Sequence, residues 1–512
     1  MEEAQKAMEH VKISTHTRTT TTTNATTEPT PVVSISALTE HKEGDVVSIY
    51  GFISALRAVG TNKVFIVLRQ GATTVQAILA GQTAASAAPD TEAPKKEQKE
   101  LRSRTVLTRR NIQDIKTVPQ ETYVRVEGRL SECARPVKSC TVSTKEIQVD
   151  QIEIVSLAEA LPFQLKDVSW TEEERRTNTT LPTVALSKRL DHRYIDLRAT
   201  ETRSIFKVYS STLHFFREYL SREFTEIRTP KIIEGASEGG ADVFTIAYFK
   251  ETASLSQSPQ IYKQMAIIGG LEKVFEIGPC FRAENSNTGR HLTEFTGVDL
   301  EMELKDLSYI DLAKEIYQML RYVILQVQEH RQEELRAIAA ITGVDNQTVL
   351  TEDLVAIPFH EGIDLLRGAG RSCSYSEDIG TEDERELGRL VREKYQTDLF
   401  ALVGYPISAR PFYTSLCPED ANYTQSFDFI MKGEEISSGA ERIHQKEVLV
   451  ERIRAKGIDL ATIQDYIDAF SFGVPRHGGC GIGLERVVKL LTATGDIHKC
   501  SMFPRDPSRL RP

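Results

Sequence analysis

Around Phe281 the sequence reads FRAENSNTGRHLTEF, which sets Arg282, Glu284, Arg290, His291 and Glu294 about one Asn/Ser/Gly-rich turn between two strand-like runs. Cations beside a strand suit a polyphosphate. A guanidinium stays charged and hydrogen-bonds phosphate oxygens bidentately, so Arg282 is placed to hold an α-phosphate throughout a phosphorus-centred reaction. A salt-bridged hairpin is the alternative that spacing alone leaves open. Further on, FDFIMKGEEISSGAERIH brings Glu434 and Glu435 close to Ser438 and Arg442, although an isolated acidic pair also fits a solvated turn. In QSPQIYKQ, Gln260 and Lys263 stand three apart, and a lone lysine in a polar loop is usually a surface residue. The glycines at 479, 481 and 483 of GGCGIGLER do not fit GxGxxG and no βαβ unit surrounds them, which rejects dinucleotide binding. His477 and Cys480 read as a packed turn, not as a metal pair.

These residues need elements to hold them. From residue 197 to 512 the pattern is that of a mixed α+β domain around an antiparallel sheet. Ile205, Val208, Thr212, Phe216 and Leu220 recur at three- and four-residue spacing, one core-facing helical stripe. FTEIRTPKII, KVFEIGPCFRAE, LTEFTGVDLEMEL and FDFIMKGEEISSG read as strands, and DLAKEIYQMLRYVILQVQEHRQEELRAIAA as one long helix. Upstream, over residues 31 to 161, five β-rich runs fit a small barrel: DVVSIYGFISAL, KVFIVLRQ, TVQAILAG, YVRVEGRL and EIQVDQIEIVSL. An Ala/Pro/charge-rich stretch at about 81–105 reads as an exposed loop inserted into it, and residues 162–196, mixed in charge, as a hinge. Residues 1–30 are Thr-rich with little to bury, which predicts a disordered tail.

The bulk numbers set limits. At 512 residues two or three folded units are expected, and 40% hydrophobic with 27% charged residues is ordinary globular composition. No run approaches the ~18 consecutive apolar residues of a membrane helix, and the N-terminal stretch has no apolar h-region, so a cytosolic protein without a membrane partner is expected. Seven unevenly spaced cysteines fit reduced thiols better than a disulfide framework or a zinc site. The four N-x-[ST] sequons are of the number chance supplies. A net charge of −10 does not suggest a nonspecific nucleic-acid coat, leaving local basic surface and base contacts for any RNA.

Three ordered motifs then carry a resemblance. FTEIRTPKI around Pro230 looks like motif 1, FRAENSNTGRHLTEF like motif 2 and GIGLERVV from Gly481 like motif 3 of class II aminoacyl-tRNA synthetases. Over about residues 35–512, including FPRDPSRLRP at the end, the chain resembles the aspartyl-tRNA synthetases of eukaryotic cytosol. That resemblance implies an OB-type anticodon-binding barrel, a hinge, and an antiparallel-sheet catalytic domain that forms a homodimer through motif 1, with Pro230 at the contact. It implies a ligase that activates L-aspartate with ATP and loads it on tRNA(Asp). Arg282 would take the α-phosphate, Phe295 would stack on adenine, and His291 with Arg486 would meet the outer phosphates. Glu284, Arg290, Leu292 and Gly483 would complete the ATP site. Glu435 and Ser438 match family ligands for Mg²⁺, with Asp428 as an outer contributor, and hard oxygens are what Mg²⁺ prefers. Lys263 and Arg442 would clamp the side-chain carboxylate of aspartate, with Ser237, Glu238, Ser258, Gln260, Asp299 and Ser438 around the rest of it and EGASEGGADVF closing over. Arg57, Phe65, Gln76 and Glu146 match anticodon-holding positions; core packing is the plainer reading of a strand Phe. A Lys-rich N-terminal helix found in relatives has no counterpart in the Thr-rich tail.

In this reading the aspartate α-carboxylate attacks the α-phosphorus in line, and the tRNA 3′ hydroxyl then attacks the adenylate, with orientation and electrostatics doing the catalysis. Rival readings are an asparaginyl or lysyl synthetase, an aspartate–ammonia ligase on the same fold, which has no need of the barrel, and a noncatalytic tRNA scaffold, which would have lost Arg282, Glu435, Ser438 or Arg486.

Overall fold

The computed structural model describes residues 30–81, 105–108, 112–235 and 243–512. The Thr-rich tail, most of the insertion at 81–105, and Ser237 and Glu238 lie outside the described residues. The chain divides into two units, one ending at Leu161 and the other running from Pro162 to Pro512. No described helix is long and apolar enough to cross a membrane.

The first unit is a closed barrel of β1 (Val46–Val59), β2 (Lys63–Gln70), β3 (Thr73–Ala80), β5 (Tyr123–Glu132) and β6 (Val142–Ser156). The order is β3-β2-β1-β5-β6, and a parallel β3–β6 pairing closes it. Alternation does the sorting: β2 turns Val64, Ile66 and Leu68 into the core and leaves Phe65 and Val67 on the outer face. Bulges in β1 and β6 give the bending that closure needs. A sixth strand, β4 (Val106–Thr108), pairs with β6. It is only three residues long and follows directly on the stretch read as a loop, so no periodicity announced it.

In the second unit an eight-stranded sheet runs β13-β14-β15-β16-β17-β12-β11-β7. Its strands are β7 (Thr225–Glu226), β11 (Lys273–Phe281), β12 (Glu294–Glu303), β13 (Ala356–Pro358), β14 (Leu399–Val403), β15 (Ser426–Met431), β16 (Glu434–Glu441) and β17 (His477–Gly483). The six inner strands are antiparallel and the two edge strands are parallel to their neighbours. A small second sheet joins β8 (Ile232–Ile233), β10 (Glu251–Leu255) and β9 (Thr245–Tyr248). The expected stripe of the helix Thr200–Leu220 is buried throughout and packs on the sheet with the helices Tyr309–His330 and Leu484–Thr492.

Three expectations change in detail. The long helix is two, Tyr309–His330 and Gln332–Thr342, because Arg331 leaves helical geometry at φ −123°, ψ 30°. FDFIMKGEEISSG is a hairpin, β15 and β16, turned by Lys432 and Gly433 at φ 49° and 77°. Two successive positive φ values define the tight hairpin turn that matches strand twist, and a Lys-Gly pair announces it less clearly than Asn-Gly. The stretch read as a hinge, 162–196, forms short helices within the second unit. There Arg189 and Arg193 grip Asp196 at 2.7 and 2.6 Å, and Arg193 also donates to the carbonyls of Lys499 and Ser501. These contacts fasten the start of this unit to its end.

Candidate active site

A cleft of about 380 Å³ opens over β12, β16 and β17. Period-two alternation makes it possible: Val298, Leu300 and Met302 of β12 enter the helix-packed core, while Gly297 and Asp299 face the cleft.

At one end the motif 2 turn joins β11 to β12, with Phe281 opposite Glu294 and Cys280 opposite Phe295. The Arg282 amide donates to the Thr293 carbonyl, and its guanidinium lies 5.5 Å from the centre of the Phe295 ring and 4.0 Å from Glu284. Leu292, His291 and Glu284 line the same wall. His291 Nδ1 lies 2.6 Å from Thr288 Oγ1, and burial, then the charges of Arg486 and Arg290, depress its pKa below the usual histidine value. Gly483 caps the helix Leu484–Thr492, so Arg486 sits in a first helical turn whose free amides already favour anions. Arg486 donates to the Glu435 carbonyl at 2.7 Å. Arg290 is bound differently from a free phosphate ligand: it holds Glu384 at 2.6 Å and lies 3.7 Å from Glu434.

Glu435 and Ser438 both line the cleft. Three residues apart on a regular strand they would point to opposite faces. The register shifts here, Phe429 facing Ser437 but Ile430 facing Glu435, so Ile436 is an extra residue and the bulge turns both groups the same way. Burial, then the nearby Asp428 carboxylate, pushes the Glu435 pKa up to about 7. One carboxylate and one hydroxyl fit Mg²⁺, which usually takes one or two carboxylates plus phosphate oxygens and water. Among the described residues no cluster of three or more His, Cys, Asp or Glu forms a self-sufficient metal cage. Asp428 lies behind this pair and is held by Arg410 at 2.7 Å.

The other end holds four buried charges. Lys263 Nζ, on the helix Gln260–Ile268, contacts Asp299 at 3.1 Å, Glu301 at 3.4 Å and the carbonyls of Leu300 and Cys480. Arg442 donates to Glu301 at 3.0 Å, to the Gln260 side chain and to the Gly479 carbonyl. Burial acts to raise the Glu301 pKa, but Arg442 and Lys263 outweigh it and hold it below the usual carboxylate range. Arg442, Gln260, Ser258 and Asp299 line the cleft; Lys263 stands one layer behind, fully engaged. Sequence reading missed Arg410, Glu301 and Glu384. Glu301 lay within reach, two residues beyond Asp299 on a strand and so on the same face; Arg410, in an irregular SARPFYT segment, carried no periodic signal.

On the barrel, Arg57 sits opposite Phe65 across β1 and β2, with its guanidinium 5.1 Å from the ring centre, and Lys63 is 4.8 Å from it. Gln76 donates to Glu146 at 2.8 Å. Phe65 is half-buried on the outer face, outside the barrel core.

The family model of tRNA synthetases class II (D, K and N) matches residues 185–507. The chain is 42% identical over 483 residues to the cytoplasmic aspartate–tRNA ligase of Mus musculus, covering 94% of this chain and 91% of that one. It is 40% identical over 472 residues to the probable cytoplasmic aspartate–tRNA ligase of Encephalitozoon cuniculi, covering 92% and 95%. Among solved structures, a putative aspartyl-tRNA synthetase from Leishmania major Friedlin superimposes with a TM-score of 0.84 at 33% identity, covering 96% of this chain and 97% of that one. The asparaginyl-tRNA synthetase of Pyrococcus horikoshii complexed with asparaginyl-adenylate reaches 0.74 at 27% identity, covering 92% and 97%.

Glu435 generates a prediction. With its pKa raised to about 7, the folded ligand-free protein keeps a proton that the unfolded chain releases near pH ~4.3. Stability is therefore lost as pH rises through that window, and the loss is complete above pH ~7. Glu435→Gln should match wild type near pH 5 and exceed it at pH 8, by on the order of 1 kcal/mol because part of the side chain meets water. Thermal unfolding at the two pH values measures this; a stability difference independent of pH would contradict it.

Proposed function

The chain belongs to the class II tRNA synthetases of the aspartate, lysine and asparagine group, and we propose that it is the aspartate-charging enzyme, activating L-aspartate with ATP and transferring it to the 3′ end of tRNA(Asp). The observation that carries the choice of amino acid is the buried pair of cations at the inner end of the cleft, Arg442 on its wall and Lys263 behind. A substrate carboxylate entering there meets a guanidinium already oriented by Glu301 and stacked 5.3 Å from the Tyr413 ring. Neutral asparagine would leave that cation less well paired, and lysine would bring a like charge against it. Asp299 faces the substrate ammonium from β12. The likeness to an asparaginyl enzyme reflects the shared fold. Relatives are named cytoplasmic, and the cytosol is the expected compartment.

At the nucleotide end Phe295 offers a stacking face for adenine and Arg282 a charged fork for the α-phosphate, so the aspartate carboxylate and the phosphorus meet between two fixed ends of one cleft. His291, with its pKa depressed, offers a neutral N–H to the outer phosphates alongside the full charge of Arg486. Mg²⁺, held by Glu435 and Ser438, would neutralise the phosphate charge that builds on the leaving pyrophosphate. Pro230 just before β8 and Ile232 within it, both exposed, support a homodimer contact through this segment; an active species that sediments strictly as a monomer would refute it.

The test of substrate is ATP–pyrophosphate exchange run in parallel with aspartate, asparagine and lysine. Aspartate alone should support it, and Arg442→Met should weaken aspartate use by about 2 to 5 kcal/mol while leaving the ATP requirement nearly unchanged. Exchange driven by asparagine would overturn the assignment. The barrel is tested apart: Phe65→Ala should weaken tRNA recognition by roughly 1 to 3 kcal/mol and spare tRNA-free exchange. A folded variant that charges tRNA normally would remove Phe65 from the anticodon site.

A further inference from the structure

We propose that Arg410 makes divalent-metal binding conditional on nucleotide, by standing as a built-in cation between Asp428 and Ser438 where an unaided metal would otherwise bind. The inference rests on the reading of Glu435 and Ser438 as metal ligands. Arg410 is buried, with its guanidinium 3.8 Å from the centre of the Tyr405 ring. Nη2 donates to Asp428 Oδ2 at 2.7 Å and Nη1 to Ser438 Oγ at 2.8 Å, and these two partners face each other directly across β15 and β16. The second carboxylate oxygen, Asp428 Oδ1, is buried and accepts no hydrogen bond among the described residues. Arg410 lines the cleft and Asp428 does not, so the arginine separates that carboxylate from the substrate space.

The chemistry follows from the donor set. Asp428, Glu435 and Ser438 together supply two carboxylates and a hydroxyl, hard oxygens sufficient to hold a small dication with water completing its shell. With Arg410 in place one carboxylate is neutralised, one Ser438 lone pair is used, and an incoming dication meets a fixed positive charge in a poorly screened site. The missing negative charge arrives with the phosphates of the nucleotide. Metal is then taken up with ATP, and it loses its hold when pyrophosphate departs.

The full-length protein is titrated with Mn²⁺, free metal being read from its electron paramagnetic resonance signal, with and without a non-hydrolysable ATP analogue. Wild type should bind Mn²⁺ weakly alone. Arg410→Gln and Arg410→Met should bind it at least ten-fold more tightly without nucleotide, whereas Arg410→Lys, which keeps the charge, should stay near wild type. Arg410→Met combined with Asp428→Asn removes both members of the buried ion pair at once, with Asp378 and Glu435 still nearby; it should fold even if the single variants do not, and should bind nucleotide-free Mn²⁺ no better than wild type. Unchanged nucleotide-free affinity in folded Arg410→Gln or Arg410→Met, tight binding in Arg410→Lys, or tight binding in the double variant would overturn the role given to Arg410. If Glu435→Gln leaves Mn²⁺ binding in the nucleotide complex unchanged, the metal reading itself fails, whatever Arg410 does.

Discussion

Lys263, Arg442, Asp299 and Glu301 are buried together, and this arrangement can fold only if all four charges are paired. Removing one partner from such a cluster leaves an uncompensated charge in a poor solvent, a larger penalty than the pairs themselves return in net stability. Backbone geometry serves that pairing. Lys263 and Arg442 each need a carbonyl as well as carboxylates, and β17 supplies them at Cys480 and Gly479. A Cβ on Gly479 would lie 2.1 Å from the Leu300 carbonyl oxygen, so β17 runs too close to β12 for a side chain there. The glycine-rich run that imitates a dinucleotide motif is thus explained by strand contact.

The nucleotide end follows the same rule with a different outcome. Lys489 is clasped by both oxygens of Glu434, Arg290 by Glu384 and Arg410 by Asp428, so several cations around the phosphate site are matched before any ligand arrives. Preorganised charge of this kind needs little rearrangement when substrate enters, which is where electrostatic catalysis gains most over water.

How much of this could be read from the residues differs by level. The five barrel strands and the core stripe of the helix Thr200–Leu220 were legible because period two and period three-to-four survive in any context that buries one face. The β15–β16 hairpin was not, since Lys432 adopts a positive φ that its side chain does not advertise. The opposed placement of Phe65 and Arg57, and of Gln76 and Glu146, required strand register, which no single run of residues contains. In the cleft, Lys263 and Arg442 could be nominated from a motif, but their partnership with Glu301 could not, because it joins residues far apart in sequence. The bulge at Ile436, which turns Glu435 toward Ser438, shows only when β16 is laid against β15.

The claim that the four buried charges stand or fall together is tested most directly by a double-mutant cycle on ligand-free protein, with Arg442→Met, Glu301→Gln and both combined, which leaves the Lys263–Asp299 pair intact, each unfolded by denaturant. Each single change leaves one charge uncompensated and should cost about 3 to 5 kcal/mol, whereas the combined change restores neutrality and should cost less than either alone. Strictly additive losses would contradict the account, because they would mean that Arg442 and Glu301 are buried independently.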